Sequence, residues 1–94
     1  MPVILASSCK LKDWKALRRV HEGVLTEQAR ACRARRYGIY RNVNDATQVL
    51  LIAEFMELEQ GNEFLQVWLE VCGSLCNDVP NHIVWEALGW AAIP

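Results

Sequence analysis

No stretch of this 94-residue chain holds the roughly 20 apolar residues that a bilayer-spanning helix needs. The opening Met1-Pro2-Val3-Ile4-Leu5-Ala6 has no basic region before it and is too short for a secretory signal, so the expected compartment is cytoplasmic. There is no phosphate-cradling Gly-rich loop, no nucleophile elbow and no His-Glu-x-x-His helix. Nucleotide hydrolysis, ester hydrolysis and zinc proteolysis therefore have no motif behind them. The four cysteines, Cys9, Cys32, Cys72 and Cys76, lack the dense paired spacing of a secreted disulfide scaffold, and reduced thiols are expected. Cys72 and Cys76 are spaced to share one helical face and His82 follows, a pattern that invites zinc. Gly73 is expected to end the helix between them and no fourth ligand is evident, so no metal is expected.

Positive charge is absent from the second half. All ten basic residues fall between Lys10 and Arg41, opposed only by Asp13, Glu22 and Glu27, while residues 42 to 94 carry eight acids and no base. The halves stand at +7 and −8. A basic half can bind nucleic acid. In the fold derived below, however, the two helices lie side by side, so the opposite charges are expected to meet within one molecule and nucleic-acid binding is not expected.

What is present is apolar. A hydrophobic fraction of 52% with 22% charge excludes disorder and exceeds what one small core hides, since a domain of this size buries only about two-thirds of its unfolded surface. Residues 2 to 9 read as a first strand. Trp14, Leu17, His21, Val24, Leu25, Gln28 and Cys32 recur at steps of three and four after the N-cap candidate Asp13, giving a helix from about 13 to 32. Residues 35 to 41 and 47 to 55 form a hairpin around a turn at 42 to 45. Leu58, Gly61, Phe64, Leu65, Trp68, Val71, Cys72 and Leu75 mark a second helix, and 82 to 90 a last strand.

That order, with two right-handed crossovers, predicts an α+β fold over residues 1–94 as a single domain. It is a ferredoxin-like β-α-β-β-α-β unit with a four-stranded antiparallel sheet and both helices on one face. Val49 to Ala53 are apolar in succession, which predicts cover on both faces of their strand. The helices cover one face. A second copy of the sheet, in an isologous homodimer, is the expected cover of the other.

Lys12-Asp13-Trp14, Tyr40-Arg41-Asn42-Val43-Asn44-Asp45 and Ile52-Ala53-Glu54-Phe55-Met56-Glu57, followed by Phe64-Leu65, resemble the dimeric α+β barrel proteins grouped with the antibiotic biosynthesis monooxygenases. The resemblance runs from about Cys9 to Trp85. It implies a homodimer whose sheets pack into a barrel, with a cavity for a small apolar or aromatic molecule between helices and sheet. Some members of the family oxidise polycyclic phenols with oxygen and without a metal or cofactor, and some cleave haem. The haem-degrading members share an Asn on the first strand and a His on the second helix. This chain has Ser7, Ser8 and Cys9 on that strand and no His between Glu57 and Cys72, so haem cleavage is not expected.

His21 sits midway along the apolar stripe of the first helix, where an imidazole can act as a general base or be a core residue satisfied by a carbonyl or a tyrosine. Trp14, Trp68 and Trp85 can line an aromatic pocket, with Tyr37 or Tyr40 offering a hydroxyl, or can fill the core. Trp90 is expected at the dimer contact or the surface. Glu54 and Glu86 are carboxylates near a cavity or partners of Arg36 or Arg41. Two functions remain: a cofactor-independent monooxygenase of a phenolic, polyketide-like substrate, and a non-catalytic ligand-sensing or scaffolding dimer.

Overall fold

Strict alternation builds the sheet. Along β1 (Val3–Lys10), Val3, Leu5, Ser7 and Cys9 are buried while the residues between them are not, the period of two that a pleated strand imposes. In the computed structural model, which describes residues 1–89, 91 and 93, β1 is followed by helical segments α1 (Trp14–Val20) and α2 (Thr26–Ala31). After these come β2 (Arg36–Asn42), β3 (Asp45–Phe55), α3 (Leu58–Leu75) and β4 (Asn81–Glu86). The four strands form one antiparallel sheet in the order β2-β3-β1-β4. The fold is therefore the ferredoxin-like α+β arrangement. The last strand stops at Glu86, and Trp90 lies outside the described residues.

The core lies between the sheet and its helices. Val3, Leu5, Val49, Leu51, Ala53 and Phe55 face Leu17, Leu25 and Ala29 on one side and Phe64, Leu65 and Trp68 on the other. Glu57 and Gln60 close a reciprocal capping box at the start of α3. Asp13 caps α1, accepting from the backbone of Lys15 (2.9 Å) and Ala16 (3.3 Å).

The first helix is not a plain α-helix. Between α1 and α2 the chain makes a π turn at His21–Leu25, where the Thr26 N–H reaches back to the His21 carbonyl and the Thr26 hydroxyl donates to the same oxygen. Gly23 and β-branched Val24 hold an α turn weakly, which favours the wider one. The turn absorbs one extra residue and shifts the buried stripe from Leu17 to Leu25, Ala29 and Cys32. Val24, expected on the inner face, is consequently exposed. The helix ends in a Schellman motif, with Ala34 N–H donating to Ala29 and Arg33 N–H to Arg30, and Arg33 adopts the left-handed conformation (φ 63°) that glycine usually supplies.

Three further expectations are corrected. α3 runs through Gly73 to Leu75, because buried Cys72 and Leu75 anchor the turn on either side of that exposed glycine. Cys9 and Cys76 are joined in a disulfide and are not reduced thiols. The chain leaving α3 runs beside the end of β1 (Asn77 N–H to Lys10 O, 2.8 Å), which sets the two Cα atoms 6.3 Å apart. Cys32 and Cys72 are free and buried. The opposite charges do not meet between the helices: among the described residues the ion pairs join Met1 to Glu57, Lys10 to Asp45, Arg30 to Glu27 and Arg35 to Glu54. The first helix and α3 meet through apolar stripes. Among the described residues, no helix is long and apolar enough to cross a membrane.

Candidate functional site

Strand parity decides what the cleft beside α1 contains. On β2, Tyr37, Ile39 and Arg41 pair with the buried Ala53, Leu51 and Val49, so all three face the helices. Between this strand and α1 opens a cleft of about 670 Å³. Trp14, Leu17 and Ile39 supply its apolar surface, His21 joins the wall, and Lys15, Arg18, Arg19 and Arg41 surround it with a single acid, Glu22.

Trp14 is held from two directions. Its indole N–H donates to the Ala46 carbonyl at the hairpin, and the Arg41 guanidinium lies over its ring at 5.3 Å. His21 Nδ1 is 2.7 Å from the Tyr37 hydroxyl, and the Tyr37 ring stands edge-on to Phe64 with centroids 5.6 Å apart. Burial pushes the Tyr37 hydroxyl far above its ordinary pKa, so the phenol stays protonated. Two proton placements satisfy the pair. Either Tyr37 donates to Nδ1 and leaves Nε2–H as a donor, or Nδ1–H donates to Tyr37 and leaves Nε2 as an acceptor.

Of the pocket candidates named in the sequence, the structure sets Trp14 and His21 on the cleft wall and Tyr37 behind His21. Trp68 is fully buried beneath α3, its indole donating to the Ser7 hydroxyl at 2.8 Å, so it packs as core. Tyr40, Glu54 and Trp85 lie on the far side of the sheet, away from the cleft. Tyr40 covers Gly38, where an added Cβ would sit 2.8 Å from the tyrosine hydroxyl. Glu54 pairs with Arg35 at 3.4 Å, a partner the sequence did not suggest. His82, on β4, is exposed and apart from the cysteines, whereas the sulfurs of Cys9, Cys72 and Cys76 lie within 4.8 Å of one another. Two of those sulfurs are already joined. Burial, with the charge of Asp78 adding to it, pushes the remaining thiol, Cys72, up to about 12.

No family model matches the sequence, and no curated protein matches it. Solved structures do. SnoaB from Streptomyces nogalater, a cofactor-independent oxygenase, superposes with a TM-score of 0.75 at 10% identity over 95% of both chains. A Nitrosomonas europaea protein described as a candidate antibiotic biosynthesis monooxygenase gives 0.72 at 12% identity, over 93% of this chain and 90% of that one. This chain shares the fold of the antibiotic biosynthesis monooxygenase-like proteins. A dimeric ferredoxin-like protein from an uncultured marine organism gives 0.71 at 8% identity, over 99% and 93%.

Within this monooxygenase-like fold, the cleft residues that sequence reasoning passed over are Ile39 and Arg41. Their signal was present. Once Tyr37 is set inward, period-two alternation places Ile39 and Arg41 inward with it and Tyr40 outward.

Proposed function

We propose that the protein is a homodimer, one domain per subunit, that binds a planar aromatic molecule in the α1–β2 cleft and oxidises it with molecular oxygen, without a metal or prosthetic group. The observation that carries this reading is His21, hydrogen-bonded to Tyr37, on the wall of a cleft floored by Trp14, Leu17 and Ile39. A fold shared with a cofactor-independent oxygenase supports it. With Nδ1–H donated to Tyr37, Nε2 takes a proton from an aryl-flanked CH₂ made acidic by a neighbouring carbonyl. The carbanion passes one electron to oxygen, the two radicals combine into a peroxide at that carbon, and the imidazolium returns its proton. Loss of water leaves a carbonyl. One oxygen atom ends in the product and the other in water, so no outside reductant is needed.

The opposite proton placement favours a second reading. With Tyr37 donating to Nδ1, His21 offers only N–H and can hold an oxyanion without accepting a proton, as a ligand-sensing dimer requires. Oxygen uptake with anthrone in the presence of a chelator separates the two. Catalysis consumes one oxygen molecule per carbonyl formed, well above the uncatalysed rate; a rate equal to the protein-free control would leave only the sensing reading.

The homodimer rests on the outer face of the sheet. Ile4, Ala6, Leu50, Ile52, Ile83 and Trp85 lie there together, and Trp85 and Ile83 are each 55% exposed. A contiguous apolar surface of this kind marks an association site. A second copy is the occupant whose own sheet matches it by symmetry, and a dimeric protein of the same fold supports the choice. Native mass spectrometry should return twice the chain mass, and a monomer at micromolar concentration would remove the two-sheet arrangement.

A further inference from the structure

The charge around the cleft is unbalanced in a way the fold does not require. Lys15, Arg18, Arg19 and Arg41 border it against Glu22 alone, and none of the four forms an ion pair among the described residues. The other nearby acids are engaged: Asp13 caps α1, and Asp45 is held by Lys10 and Thr47, which together lower its carboxyl to about 2. No acid of α3 forms an ion pair with the rim among the described residues. Arg41 is moreover oriented. Its guanidinium rests on the Trp14 ring, which fixes a planar donor fork at the cleft mouth before any ligand arrives.

We infer that the ligand of this cleft is an aromatic molecule with a fixed negative charge at its edge, a carboxylate or sulfonate, gripped by Arg41 while its ring lies on Leu17 and Ile39. The inference rests on the cleft proposed above as the binding site and adds the ligand's charge. A planar guanidinium matches a carboxylate through two parallel hydrogen bonds, which a neutral aromatic does not offer. Lys15, Arg18 and Arg19 are exposed, so their part is a screened attraction that raises local anion concentration. Arg41 supplies the directional contact.

Titration calorimetry with 2-naphthoate and its uncharged counterpart 2-naphthamide tests this on the full-length protein. At low ionic strength the carboxylate should bind about tenfold tighter or more, the scale of one charge-assisted hydrogen-bonded contact. The gap should narrow as salt rises. Arg41→Gln should remove most of the preference, read as the ratio of the two affinities within that variant. Arg18→Gln, an exposed helix position, should reduce the preference in part, and it serves should the first variant lose its near-ultraviolet dichroism. Equal affinities for the two ligands would overturn the charge inference and leave the cleft as the site. Binding of neither would overturn both.

Discussion

Trp68→Ala should lower the unfolding free energy by about 3–5 kcal/mol, the cost of removing a large aromatic from a packed core. Trp68 is fully buried where α3 crosses β1, and its loss leaves a void between Phe64, Cys72 and the sheet that rigid neighbours on both sides cannot close. It also strands a polar atom. The Ser7 hydroxyl, itself 1% exposed, takes its hydrogen bond from the Trp68 indole, and burying it without that partner adds about 1–3 kcal/mol. Trp68→Phe should therefore cost more than its volume change implies, and Ser7→Ala in the same chain should recover part of that loss. Urea unfolding at fixed protein concentration, with the slope unchanged, reads all three variants. A loss below about 1 kcal/mol for Trp68→Ala would mean that the site is not a close-packed core position.

His21→Phe should slow oxygen uptake by about 10²–10⁴-fold, the usual contribution of a positioned general base. Phenylalanine fills the imidazole's volume and keeps the ring contact with Tyr37 but leaves the Tyr37 hydroxyl without its partner, so stability should fall by about 1–3 kcal/mol while affinity for the aromatic ligand changes little. Tyr37→Phe is the companion. Where Nδ1–H donates to the phenol, Tyr37 only orients the ring, and its removal should cost less than loss of His21 itself. Uptake in His21→Phe equal to the parent would take the imidazole out of the mechanism, whereas tightly reduced binding would make it a contact residue.

Much of the fold was written in periodicity. Short apolar and β-rich runs located the strands and steps of three and four the helices, but not the π turn or the end of the last strand at Glu86. The unbroken apolar run at Val49–Ala53 belongs to a strand whose Leu50 stays exposed in the single chain. The site was legible only in part. Aromatic content flags Trp14, Tyr40, Trp68 and Trp85 equally, and only strand parity and depth separate a cleft wall from a core filler and an outer-face residue. Glu54 was left between a cavity carboxylate and a partner of Arg36 or Arg41, and the residue it pairs with, Arg35, lies just ahead of β2 and is set by tertiary placement. The Cys9–Cys76 disulfide was invisible for a similar reason, since its two residues are 67 positions apart and meet only because the end of α3 returns to β1. The cationic rim could be counted in the sequence, but not the absence of ion pairs between the helices among the described residues, which tertiary placement sets.

The π turn at His21–Leu25 sets what the first helix tolerates. Consecutive residues of a helix differ by about 100° in direction, so closing the turn to a regular α turn with all its residues kept would rotate Leu25, Ala29 and Cys32 out of the core by that angle while leaving Trp14 and Leu17 in place. Exchange of the exposed side chains at Glu22 or Val24 changes no such angle. The exposed positions of the segment thus tolerate substitution, and the width of the turn, more than their chemistry, keeps the cleft half and the core half of the helix facing their separate neighbours.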